Sequence, residues 1–245
     1  MTYTIALLNP RSASGKTTLA INLAFSFALL EMRTLFVDCT SSGAGSRMLT
    51  GGTPGSASGV SDVMSGLVSA RGAIVPGPTP WLDVIPASGG EREAEDFLAF
   101  NPEKEKVLAL SLRKTGEGYD IVIVDTPSGN GLFVKSALTA ADLALVPLHP
   151  SWDGNSQLKE AGLCVEEVLT SLNPDLNGMG LIYMGPSDPA PDEDGMQFVG
   201  RLPDCDAIRK GMATGIPAAL VDVMSPGAQA FLDLVREMKA AGTDP

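Results

Sequence analysis

Gly15, Lys16, Thr17 and Thr18 follow directly on the small residues Ser12, Ala13 and Ser14. That order suits a phosphate group. Backbone N–H groups at a helix start point at the anion, the lysine reaches its outer oxygens, and a hydroxyl can ligate Mg²⁺. The tripeptide alone recurs by chance, and a plain helix start with a surface lysine reads the same way. Pro10 also stands where such loops usually carry their first glycine. The setting adds weight, because an apolar run from Tyr3 to Leu8 precedes the segment and another from Leu19 to Leu30 follows it. A second acidic strand end should accompany such a loop, and Tyr119-Asp120-Ile121-Val122-Ile123-Val124-Asp125-Thr126-Pro127 supplies one. Asp125 is placed to hold a metal through water; it could equally cap a following helix.

These residues need a scaffold. Short apolar runs at Tyr3 to Leu8, Thr34 to Val37, Leu82 to Ile85, Ile121 to Val124, Leu143 to Val146 and Gly180 to Met184 have the continuous hydrophobicity of strands buried on both faces. Helical patterns lie between and after them, at Lys16 to Glu31, Glu91 to Lys114, Asn155 to Leu172 and Ser225 to Ala240. The expectation is an α/β fold: a doubly wound, mostly parallel central sheet flanked by helices, forming one domain over residues 1–245. The stretches 41–58 and 185–195, rich in glycine, serine, proline or acids, are expected to be loops.

Composition narrows the function classes. Hydrophobic residues at 44% and charged residues at 19% exclude wholesale disorder, and a net charge of −12 excludes a strongly basic nucleic-acid-binding architecture. Cys39, Cys164 and Cys205 are scattered, which argues against a disulfide framework or a zinc site and for a reducing, cytoplasmic compartment. Met1 runs straight into the first strand pattern, so no signal peptide is expected. The apolar stretch Leu19 to Leu30 is interrupted by Asn22 and Ser26 and is too short to cross a bilayer.

The order of motifs resembles the ParA/MinD family of deviant Walker A ATPases over nearly the whole chain. The family loop KGGxGKTT is matched by Arg11-Ser12-Ala13-Ser14-Gly15-Lys16-Thr17-Thr18, and the strand ending DxDPQGN by Asp38-Cys39-Thr40-Ser41-Ser42-Gly43-Ala44. Asp125-Thr126-Pro127-Ser128 matches the DTPP motif, and Ala141-Asp142 through Pro150-Ser151 matches the motif that follows it. Leu202-Pro203, Gly215-Ile216-Pro217 and Gly227-Ala228-Gln229-Ala230-Phe231 are similar to the family's ending.

The resemblance implies a P-loop fold that binds ATP or ADP with Mg²⁺, and a homodimer formed on ATP with nucleotide sandwiched between subunits. Residues 11–18, Asp125 and, against adenine, Pro203 would bind nucleotide. Thr17 and, through water, Asp125 would hold the metal. Arg11 occupies the place of the lysine that crosses to the partner, and its planar fork keeps the charge that phosphate needs. Ser12 and Ala13 replace glycines, adding Cβ atoms where backbone approaches nucleotide. Thr40 replaces the second aspartate, which positions the attacking water, and a hydroxyl cannot carry that charge. Lys16, Arg11, Asp38 and Thr40 are thus the candidate catalytic set, with slow hydrolysis expected.

The same resemblance implies a role in positioning or partitioning DNA or a protein cargo, with a protein partner that stimulates hydrolysis. The alternative is a nucleotide-responsive regulatory module with little or no ATPase activity. Non-specific DNA binding, and with it nucleoid association, would draw on Arg201, Arg209, Lys210, Arg236 and Lys239, although solvated helix faces explain these residues equally. Phe231, Leu232, Leu234, Val235 and Met238 read as the core face of the last helix, so membrane insertion is not expected. The lone histidine, His149, and neighbouring Trp152 are read as packing residues.

Overall fold

The computed structural model describes residues 2–52, 58–116, 118–149, 154–185, 197–214 and 216–240. The expected loop residues 186–195, together with Pro150, Ser151, Trp152 and Gly215, lie outside the described residues. Eight strands form one sheet: β1 (Tyr3–Leu7), β2 (Thr34–Asp38), β3 (Val75–Pro76), β4 (Leu82–Ile85), β5 (Ile121–Asp125), β6 (Leu143–Leu148), β7 (Met179–Met184) and β8 (Gln197–Leu202). Their order across the sheet is β3-β4-β2-β5-β1-β6-β7-β8. All pairs are parallel except β3 with β4. Ligand loops in such sheets lie at the carboxyl ends of the strands, where the chain turns to opposite sides. That point is the end of β1, since the chain leaves it for β2 on one side and later crosses to β6 on the other.

Two helical layers cover the sheet. One holds α1 (Lys16–Leu29), α2 (Ala44–Thr50), α8 (Asp206–Thr214), α9 (Ala218–Val221) and α10 (Pro226–Ala240). The other holds α3 (Val60–Met64), α4 (Glu91–Leu98), α5 (Val107–Gly116), α6 (Leu132–Thr139) and α7 (Gly154–Ser171). Strand residues alternate between the two cores, with Ile121 and Ile123 of β5 facing α1 and Val122 and Val124 facing the other layer. Burial on both faces explains the unbroken apolar runs in the sequence. Helix α1 is apolar almost all round, and Leu19, Ile21, Leu23, Phe25 and Phe27 are buried. Among the described residues no helix is long and apolar enough to cross a membrane.

Three local expectations differ from the structure. The helical pattern from Glu91 to Lys114 is two helices, α4 and α5, parted by a turn and a short 3₁₀ segment at Lys104–Lys106. Pro102 disfavours helical geometry at Asn101, whose side-chain oxygen instead accepts from the Glu103 N–H at 2.9 Å. The stretch 41–58 contains α2, bounded by Gly43 and Gly51 in left-handed conformation. Edge strands β3 and β8 add to the six strands read from sequence; Pro76 is tolerated because β3 is an edge.

Candidate functional site

Three loops converge at the carboxyl end of the sheet, those after β1, β2 and β5. The first, residues 9–15, is pinned from beneath by Asn9, which is fully buried. Its Nδ2 donates to the Pro147 carbonyl at 2.9 Å and to Gln157 Oε1 at 3.3 Å, while its Oδ1 accepts the Arg11 N–H at 2.9 Å. The Gly129 N–H donates to the Pro10 carbonyl at 2.9 Å, tying the loop after β5 to this one. A buried amide with each end satisfied fixes the loop at little cost.

Ala13 and Gly15 both have positive φ, +54° and +81°. Gly15 has a second reason to lack a side chain, because a Cβ there would lie 2.8 Å from Met184 Sδ at the end of β7. Ala13 has no such excuse and holds a left-handed conformation that disfavours any Cβ. Ala13→Gly is therefore expected to raise stability by about 0.5–1 kcal/mol, part of the relief being offset by a freer unfolded chain. Denaturant titration of the ligand-free protein measures it, and a loss of stability would show that the loop's shape is not strained at this residue.

Lys16 is buried, and its ammonium donates to the Asn9 carbonyl at 2.9 Å, the Arg11 carbonyl at 3.1 Å and Ser14 Oγ at 3.3 Å. Burial lowers its pKa, an effect the nearby Asp125 carboxylate opposes. The lysine thus folds back onto its own loop and spends its three donors on neutral oxygens, an arrangement a phosphate can displace. Arg11, Ser12 and Ala13 are exposed above it. Among the described residues the Arg11 guanidinium makes no hydrogen bond or ion pair.

Asp38 and Asp125 are register partners at the ends of β2 and β5, both fully buried. Their situations differ. Asp38 Oδ1 accepts from the Thr40 N–H at 3.0 Å and the Thr40 hydroxyl at 2.6 Å, and its Oδ2 from the Ser46 N–H and hydroxyl, each at 2.8 Å. Four donors saturate this carboxylate, and one anchors the start of α2. Asp125 has none: neither oxygen has a partner in hydrogen-bonding geometry. Burial first, and then the Asp38 charge, push its pKa up to about 8, although the Thr17 hydroxyl, Lys16 and the Thr126 N–H lie near enough to offset part of this. A buried, unsatisfied carboxylate beside a threonine hydroxyl and a lysine fits a divalent cation carried with phosphate.

The remaining candidate residues sit around this centre. Thr18 is buried in the first turn of α1, and its carbonyl accepts from Asn22, whose Oδ1 accepts the Ala218 N–H at 2.8 Å. Pro203 follows β8 at the same carboxyl end of the strands, next to Leu202, whose carbonyl accepts the Gly185 N–H at 2.9 Å. The end of β7 thus links the two: Met184 lies against Gly15, and the next residue, Gly185, is bonded to Leu202 beside Pro203. No local pattern marks Met184 or Ser46 as neighbours of the site. Asn9 could have been noticed as a polar residue closing an apolar strand.

Two of the five residues of the suggested basic patch, Arg209 and Arg236, are neutralised. Arg209 pairs with Asp204 and Asp206, and Arg236 pairs with Asp233 at 2.8 Å. Exposed pairs like these add little stability but cancel local positive potential. Cys39 and Cys164 are buried and Cys205 is half-buried, all as free thiols.

A family model described as an AAA domain matches residues 2–178. The chromosome partitioning protein ParA of Myxococcus xanthus is 31% identical, over 98% of this chain and 88% of that protein. The chain belongs to the ParA/MinD family of P-loop ATPases. Another family relative, the sporulation initiation inhibitor protein Soj of Bacillus subtilis, is 28% identical over 97% of this chain and 98% of its own. Among solved structures, apo McdA of Cyanothece superposes with a TM-score of 0.83 at 18% identity, covering 97% of this chain and 100% of that one. The MinD protein of Pyrococcus horikoshii, complexed with Mg-ADP, gives 0.80 at 23% identity, covering 99% and 98%. At those identities the structural likeness speaks for the fold, and the ParA/MinD assignment rests on the family match and the M. xanthus relative.

Proposed function

We propose that this protein is an ATP-binding switch that dimerises on ATP and positions or partitions a cargo, DNA or a protein assembly, with slow intrinsic hydrolysis. The observation that carries the reading is the pairing of a retracted Lys16 with an unsatisfied Asp125 at adjoining strand ends. Relatives named for chromosome partitioning, and fold neighbours solved with Mg-ADP or ATP, support it.

In this reading the backbone of residues 13–17, Lys16 and Thr18 hold the phosphates, Pro203 borders the base, and Thr17 with Asp125 holds magnesium, the latter through water. Bound magnesium supplies charge neutralisation of the phosphate oxygens. Lys16 gives up its loop carbonyls for phosphate, and the unengaged Arg11 is the residue left to reach the nucleotide of a partner subunit. A wild-type chain that sediments as a monomer with ADP and equally with ATP would rule out the switch.

Thr40 favours a second reading, a regulatory module that barely turns ATP over. Its hydroxyl is committed to Asp38, and Asp38 is committed to Thr40 and Ser46, so no free carboxylate remains on that loop to orient an attacking water. Thr40→Asp cannot keep the short contact, since two carboxylates would repel. The new side chain should swing clear and raise steady-state turnover by about tenfold or more. A rate unchanged from wild type, with nucleotide still bound, would show that the carboxylate is not what limits hydrolysis.

A further inference from the structure

Helix α4 and the turn that continues it carry the most exposed aromatic surface among the described residues, Phe97 at 67% and Phe100 at 97%. Hydrogen bonds from the Ala99 N–H to the Asp96 carbonyl and from the Asn101 N–H to the Leu98 carbonyl keep this turn wound. Residues three apart therefore share a side. At about 100° per residue, Glu93, Asp96, Phe97 and Phe100 fall within one narrow arc, while Ala94 and Leu98 face the core. The two rings together offer on the order of 300 Å² of apolar area, within the range of the largest apolar patches on monomers, which are often functional.

The residues around the rings select the occupant. Glu93 and Asp96 share the arc, Glu91 and Glu95 lie elsewhere on the same helix, and Arg92 is its only base. Nucleic acid and anionic lipid are repelled by this surface. A second copy using the same patch would set Glu93 and Asp96 against their own counterparts. What remains complementary is a protein segment with apolar side chains for the two rings and lysine or arginine around them, an amphipathic basic helix.

We propose that Phe97 and Phe100, framed by Glu93 and Asp96, dock a basic amphipathic segment of a partner protein. Both phenylalanines act as anchors and the two acids set orientation and encounter rate. The surface adds a partner chemistry to the switch described above, but it stands on α4 and not on the phosphate loop. Its opposite end is not remote from the site: the Glu91 Oε1 at the start of α4 is buried without a hydrogen-bond partner, and burial and the Asp38 charge raise that carboxyl's pKa.

The test titrates the full chain into a fluorescein-labelled synthetic helix of leucine and lysine at amphipathic spacing. A leucine–glutamate helix and a serine–lysine peptide of equal length serve as counterparts, and a fluorescent ATP analogue is bound in parallel. The wild type should prefer the leucine–lysine helix to both counterparts, with affinity falling as salt rises. Phe97→Ser/Phe100→Ser should weaken it by about tenfold or more and leave binding of the ATP analogue unchanged. Glu93→Lys/Asp96→Lys gives an independent arm should the first variant fold poorly, and it too should lose the basic helix. Equal binding by wild type and both variants, or equal binding of the leucine–glutamate helix, overturns the proposal. So does a wild-type dimer in sedimentation, or uptake by zwitterionic vesicles, that the double phenylalanine variant abolishes. Loss of ATP binding with peptide capture intact would instead count against the nucleotide reading alone.

Discussion

Lys16→Ala should weaken Mg-ATP binding by about a hundredfold, about 2.7 kcal/mol, and leave the chain monomeric with ATP as it is with ADP. The size follows from the surroundings. Lys16 is buried, so its ammonium meets phosphate in a region of reduced dielectric, where a charge-assisted bond counts for more than at the surface. It also lies near the buried Asp125, which in turn adjoins Asp38. Truncation leaves the acidic side of the site facing the phosphates without the cation beside Asp125, so the loss includes new repulsion as well as a missing contact. The ligand-free protein is affected less, because the ammonium's partners there are the Asn9 and Arg11 carbonyls and Ser14 Oγ, and water can reach part of that loop. Titration with a fluorescent ATP analogue measures the affinity, and sedimentation velocity with each nucleotide measures the switch. An alanine variant that binds within threefold of wild type would mean that Lys16 stays folded on its own loop when nucleotide is bound.

The legible part of this protein was what a buried parallel sheet imposes on sequence. Strands such as Ile121–Asp125 are covered on both faces, so they read as continuous apolar runs whose ends could be placed almost to the residue. Gly15-Lys16-Thr17 was legible because phosphate binding demands particular residue types in one short segment, and Asp125 because it closes an apolar strand. Elements whose causes lie far off in the chain were not. Helix α2 is short and held by a carboxylate eight residues earlier, which no local pattern announces. The break between α4 and α5 was written in Pro102, yet the acidic and apolar periodicity on either side masked it. Sequence placed Asp38 in the candidate catalytic set; the structure shows all of its acceptor capacity taken by Thr40 and Ser46, a relation set by tertiary closure of the loop. The same holds for Met184 above Gly15, since a methionine at a strand end has no pattern of its own. The basic residues near the C-terminus could be counted from sequence, but the neutralisation of Arg209 by Asp204 and Asp206 and of Arg236 by Asp233 depended on which side chains meet.

Asp125→Asn should separate stability from function in opposite directions. In the ligand-free chain Asp125 is fully buried, has no hydrogen-bond partner and lies beside Asp38, so its pKa is pushed up to about 8. The folded state therefore holds this proton more tightly than the unfolded chain, where an aspartate titrates near 3.9. Stability from this group is fully present at low pH, falls as pH rises above about 4, and reaches its lowest level once pH passes about 8. Asparagine does not titrate and fills the same volume. Near pH 7.5 the ligand-free variant should be more stable than wild type by about 2 kcal/mol, a rise in Tm of about 4–8 °C for a chain of this size. The gap should close as pH is lowered toward 4, because the unfolded wild-type chain then takes up the proton that folded Asp125 already holds. Mg-ATP reverses the ranking: the wild type gains stability in proportion to ligand occupancy, while the variant lacks the charge that holds the metal and gains far less. Scanning calorimetry across pH 4–8.5, with and without Mg-ATP, reads both effects. A ligand-free variant less stable than wild type at pH 7.5 would mean that the carboxylate is stabilised by contacts made as part of the fold, and that its burial is not held in reserve for a cation.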